Sequence, residues 1–83
     1  MTFSVATLDT AAAAMRVRAH DQLDTVIERE LECRRLYLAG NYDEYRRAYE
    51  RREEAARTLR NTAWDIAALI ERRASVDPAG AQR

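Results

Sequence analysis

The sequence predicts an all-α fold: an antiparallel, coiled-coil-like hairpin of two long helices that dimerises into a four-helix bundle. Three observations carry this expectation. Glycine and proline are confined to Gly40, Pro78 and Gly80, and the rest is rich in Ala, Leu, Glu and Arg, which favour helix. On either side of Gly40, apolar residues recur at steps of three and four. The one internal break, Gly40-Asn41, is so short that the second helix must fold back along the first.

Taken in order, residues 1–6 read as a flexible N-terminal arm, followed by Thr7 or Asp9 as the side-chain cap of helix 1. That helix is expected over about 7–39, with the stripe Leu8, Ala12, Met15, Ala19, Leu23, Val26, Cys33 and Tyr37. Gly40 suits the left-handed position just past a helix end. Asn41 suits the next N-cap, with Glu44 three residues on as in a capping box. Helix 2 is expected over about 42–74. Its seam runs Tyr42, Tyr45, Tyr49, Arg52, Ala56, Leu59, Ala63, Ile66 and Ile70, a heptad pattern. Residues 75–83, which hold Asp77-Pro78 and Gly80, read as a disordered tail.

Folding at Gly40 sets positions whose numbers sum to about 81 or 82 opposite one another. Leu23 then meets Leu59, and Tyr37 meets Tyr45. Glu30, at the centre of the first stripe, falls opposite Arg51 and Arg52, with Arg34 one turn away. The expectation is a partly buried Glu30–Arg52 ion pair that fixes register, as polar seam residues do in coiled coils.

Two helices cover only one side of each other, and chains of this size generally need a staple, a metal or a partner. A second apolar row supplies a place for one. Ile27, Leu31 and Leu38 on helix 1 and Trp64 on helix 2 lie off the seam and read as an association interface. A homodimer is the simplest closure, because two-fold dimers are the commonest oligomers; a different protein supplying the missing helices is the competing one.

Composition narrows the function classes. The 14 basic residues are all Arg and are matched by 14 acidic ones, whereas a DNA-binding domain usually has a basic excess. The Arg and Ala bias fits a GC-rich genome, and a small accessory protein of a bacterium or phage would look like this. Cys33 is the one cysteine, so no intrachain disulfide forms, and no basic, apolar leader opens the chain; a cytoplasmic location is the expectation. No apolar run reaches the ~18 residues of a membrane span.

No catalytic constellation emerges. His20 has Asp24 and Glu28 on its row but no second histidine, and a metal site needs three or four ligands. Glu50, Glu53 and Glu54 lack the Glu-x-x-His pairs of di-iron bundles. Neither a catalytic site nor a metal or cofactor is therefore expected. Near the bend, tyrosines alternate with arginines, and Tyr42, Arg46 and Arg47 are the candidate contacts for a partner, since both residue types are enriched in hot spots. The doublets Arg34-Arg35, Arg46-Arg47, Arg51-Arg52 and Arg72-Arg73 leave an RNA- or DNA-binding hairpin dimer as the alternative.

The segment Leu38-Ala39-Gly40-Asn41-Tyr42-Asp43-Glu44-Tyr45 resembles the inter-helix turn of a tetratricopeptide repeat. The likeness covers the turn and its flanks. Tyr45 stands where that family places a small residue, each helix is about twice the family's length, and no second repeat follows. What the resemblance implies is shared capping chemistry and a leaning toward protein binding. The sequence as a whole reads as a small, non-enzymatic protein-interaction or regulatory protein acting as a helical-bundle dimer.

Overall fold

The computed structural model describes residues 3–76. Two helices make up the fold, α1 (Val5–Leu38) and α2 (Tyr42–Val76), packed side by side as a hairpin about 57 Å long.

α1 starts two residues earlier than the sequence suggests. Ser4 is its N-cap: in an extended conformation, its hydroxyl accepts a bond from the Thr7 amide at 3.2 Å. Thr7 and Asp9 lie inside the helix, as do Val5 and Ala6, so the expected arm of residues 1–6 is shorter by those two. At the other end, α2 continues through Ser75 and Val76; the remainder of the expected tail lies outside the described residues.

The bend is a Schellman closure. Gly40 has φ +74°, its amide donates to the Tyr37 carbonyl at 3.1 Å, and the Asn41 amide donates to the Leu36 carbonyl at 3.0 Å. With the Asn41 amide so engaged, the Glu44 carboxylate does not complete the expected capping box and takes Arg47 at 2.8 Å instead.

The seam on α1 runs Leu8, Ala12, Met15, Ala19, Gln22, Val26, Arg29, Cys33 and Leu36, all buried or half-buried. On α2 it runs Tyr45, Ala48, Arg52, Ala55, Leu59, Thr62, Ile66 and Leu69. Both rows hold the three–four alternation without a slip. Cys33, Leu36 and Ala48 form the tightest cluster, with Tyr45 against it, and Ala48 is wholly enclosed. Thr62 is buried because its hydroxyl returns to the Thr58 carbonyl at 3.2 Å.

Four of the nine expected α2 seam residues are displaced. Tyr45, Arg52, Leu59 and Ile66 stand where expected and Ala56 is half-buried, but Tyr42, Tyr49, Ala63 and Ile70 are exposed, and Ala48, Ala55, Thr62 and Leu69 complete the observed row. On α1, Gln22 and Leu36 replace the expected Leu23 and Tyr37. At 100° per residue, a one-residue change at about half of its positions turns α2 about 50° from the expected orientation, and the turn of α1 is smaller. The small side chains Ala48, Ala55 and Thr62 let the axes approach, and tyrosine or isoleucine rings and branches in those positions would hold them apart.

Candidate interaction surface

This rotation brings the large apolar side chains onto one flank. Leu23, Ile27, Leu31 and Leu38 of α1 are exposed, and so are Tyr42, Tyr49 and Ile70 of α2, with Ala56 half-buried and Ala63 exposed between them. The two rows lie on the same side of the hairpin. One shallow groove is lined by Val26, Ile27, Glu30, Leu31 and Arg34 from the first helix and by Arg52, Glu53 and Ala56 from the second, so apolar walls enclose a charged floor. Nearer the open end, Leu23 and Leu59 line the continuation of that face with Arg16 and His20.

The opposite flank is polar. Its cleft is lined by Gln22, Thr25, Ala55 and Thr58, and Arg51 donates across it to Glu32 at 3.2 Å. The Gln22 side-chain oxygen is buried there without a hydrogen-bond partner. The hairpin therefore has one wet face and one greasy face, while its seam holds Gln22, Arg29, Arg52 and Thr62.

Of the four residues expected to form an interface, Ile27 (49% exposed) and Leu31 (60%) border the groove. Leu38 (84%) stands at the bend, and Trp64 (71%) lies farther along α2 on its outer edge.

Glu30 and Arg52 meet at the floor of the groove. Arg52 donates to Glu30 at 2.6 Å and to Glu53 at 2.9 Å, and Arg34 donates to Glu30 at 3.2 Å. Both members of the pair are half-buried, and the Arg52 guanidinium lies 4.5 Å from the centre of the Tyr49 ring. The bond from Arg52, then that from Arg34, holds the Glu30 carboxyl below the usual range, and the bond to Glu30 keeps Arg52 firmly protonated. Directly beneath, burial pushes the Cys33 thiol up, toward its protonated form. A second bridge, unanticipated from the sequence, repeats the first three heptads away on each helix: Arg73 donates to Asp9 at 2.6 Å near the open end.

At the bend, Tyr37 packs edge-on against Tyr42 and Tyr45, with ring centres 5.7 and 5.4 Å apart. Of the three candidate contacts there, Tyr42 is held by that stack but 56% exposed, Arg46 is exposed, and Arg47 is tied to Glu44. Most arginines of the doublets are likewise matched to carboxylates: Arg34, Arg47, Arg51, Arg52 and Arg73 all bridge to one. Among the described residues, no three His, Cys, Asp or Glu side chains are placed to hold a metal, and no helix is long and apolar enough to cross a membrane.

No protein-family model, curated protein or solved structure matches this chain, so the reading of its function rests on the two-faced hairpin itself.

Proposed function

We propose that this chain is a non-enzymatic interaction protein that works as a four-helix-bundle dimer and, in that form, binds or modulates another macromolecule. One observation supports the reading above all: Leu23, Ile27, Leu31, Tyr49 and Ile70 all stand exposed along one face of an elongated hairpin. The radius of gyration is 18.1 Å, against about 12 Å for a compact domain of this length. The chain exposes 6421 Å², where a compact 9.6 kDa protein would expose about 5,100 Å². Both figures reflect an elongated shape of 57 × 24 × 18 Å, in which each helix covers only one side of the other.

A second copy of the same face supplies what is missing: Ile27 and Leu31, which border the groove, become its central interface residues, with Leu38 at the bend and Trp64 at the outer edge of α2 on its margin. The Tyr42–Arg46 corner, beside the bend, is left as the contact for a further macromolecule, in a regulatory or accessory role. A nucleic-acid partner is the weaker reading, because five of the eight doublet arginines that would hold phosphates are already matched to carboxylates. A cytoplasmic setting suits the reduced Cys33.

Trp64, the only tryptophan, reports on the closure. In a single hairpin it is a mostly wetted indole. The expected result is a blue-shifted emission in the wild type that moves red on dilution and in Leu31→Glu. A wild-type emission already that of a solvated indole, unchanged from micromolar to millimolar protein, would count against the proposal.

A further inference from the structure

The corner beside the bend is the proposed contact for a further macromolecule, and its chemistry names the kind. We infer that it takes an extended, proline-rich segment of a partner protein, laid across the tyrosines in polyproline II conformation. This rests on the proposed role of the corner and adds the class of its partner.

All the tyrosines of the chain fall between positions 37 and 49. In the hairpin they form one cluster: the Tyr37 ring centre lies 5.7 Å from that of Tyr42 and 5.4 Å from that of Tyr45, and Tyr45 lies 6.2 Å from Tyr49. The ring planes are inclined to one another by 53–65°, so the rings hold each other in place. Two hollows share Tyr45 as a wall. Cys33, Tyr37 and Leu38 line the first, about 430 Å³, with Arg34 beside them; Arg46, Tyr49 and Glu50 line the second, about 320 Å³. Both volumes fall in the range of small-ligand clefts.

Three features select the occupant. The first is charge. The hollows carry Glu30 and Glu50 against Arg34, Arg46 and Arg52, and Arg52 is already bonded to Glu30 and Glu53. Such a near-balance offers neither the row of free cations that a phosphate chain follows nor a field that draws an acidic peptide. The second is the setting of the rings. Tyr49 gives one face to Arg52, and Tyr37 packs edge-on with Tyr42 and Tyr45, so no series of open faces is left for stacked bases.

The third is hydrogen bonding. None of the four phenol hydroxyls bonds to another described residue or is buried, and Arg34 donates through its Nε alone, to Glu30. These groups all can donate, and they stand among apolar ring surfaces. A partner α-helix has its carbonyls engaged in its own ladder. A polyproline II segment has no internal hydrogen bonds, so it presents free carbonyls along its length between apolar rings. Its conformation is set before it binds, as is that of the tyrosine cluster, so little freedom is lost on docking. Aromatic-lined grooves are the general means of holding such segments.

A decaproline peptide with blocked ends, titrated into the full-length chain, tests the assignment, with the tyrosine ring resonances followed by NMR. The expected result is a saturable shift of the Tyr37, Tyr45 and Tyr49 rings, with no shift from a Gly-Ser peptide of the same length. Tyr49→Ala, at an exposed position, is expected to weaken binding about tenfold. Tyr37→Phe keeps the ring, removes one hydroxyl and is expected to weaken binding by a smaller factor. An equal response to the Gly-Ser peptide, or an affinity unchanged in both variants, would overturn the inference. Tighter binding of oligothymidine or of a glutamate-rich helical peptide would overturn the proline-rich class and leave the corner as a contact. No shift with any of these probes would overturn the inference and the role of the corner together, while the sedimenting mass reports on the dimer separately.

Discussion

Leu36 and Tyr37 are neighbours on the last turn of α1, and only one of them can be the residue that anchors the bend. The structure assigns that role to Leu36, which is 8% exposed against Cys33 and Ala48, whereas Tyr37 is 56% exposed. Leu36→Ala removes buried methyl groups from the tightest cluster of the hairpin. Buried Leu→Ala changes cost about 2–5 kcal/mol. This cluster is small and its rim is open to water, which relaxes the cavity and places the loss in the lower half, about 2–3 kcal/mol. For a domain this short, each kcal/mol lowers the melting midpoint by about 4–8 °C, so a fall of roughly 10–20 °C is expected. Tyr37→Ala forfeits edge-on contacts with Tyr42 and Tyr45, about 1 kcal/mol, and lowers the midpoint by no more than about 8 °C. Thermal melts followed by circular dichroism at equal concentration give the order directly. Equal midpoints, or a larger loss for Tyr37→Ala, would show that the helices pack in the more apolar orientation and that the rotation described above is wrong.

Other consequences are as specific. Gln22→Leu removes a buried oxygen with no partner and is expected to stabilise the hairpin by about 1–2 kcal/mol, seen as a higher midpoint. Gly40→Ala meets no steric obstacle, but the φ of +74° strains any side chain, so a loss of about 1 kcal/mol is expected in the same melts. The Glu30 carboxyl is held low by Arg52 and Arg34, so the folded state favours its charged form. Its contribution is present above the ordinary carboxylate range and is lost as pH falls through the depressed folded value. Glu30→Gln should therefore lower stability at neutral pH and flatten its fall in acid; an unchanged acid limb would separate Glu30 from the pH dependence.

Much of this molecule was legible in its sequence, and what was not has a physical reason. The bend at Gly40 and the pairing of Glu30 with Arg52 follow from where a helix must stop and how long the connection is. The phase of the seam does not follow, because the chain carries two adjacent apolar rows on each helix. Tyr42, Tyr49 and Ile70 carry more apolar surface than Ala48, Thr62 and Gln22, so a reading by apolar area turns each helix toward its greasier side. Close approach of the axes selects the smaller residues, and this preference is a property of the pair of helices rather than of either one. The N-cap was missed for a similar reason: Ser4, Thr7 and Asp9 are all competent, and only the backbone shows which is used. The interface residues read from the sequence lie in the open in the single hairpin, and the displaced tyrosines enlarge the same face.

The central claim is that this greasy face is closed by a second copy, and sedimentation equilibrium of the full chain tests it most directly. The proposal expects a mass twice the 9.6 kDa of one chain at micromolar concentration, returning to one chain in Leu31→Glu without loss of helical signal. A wild type that sediments as a single folded 9.6 kDa chain at every concentration would contradict it.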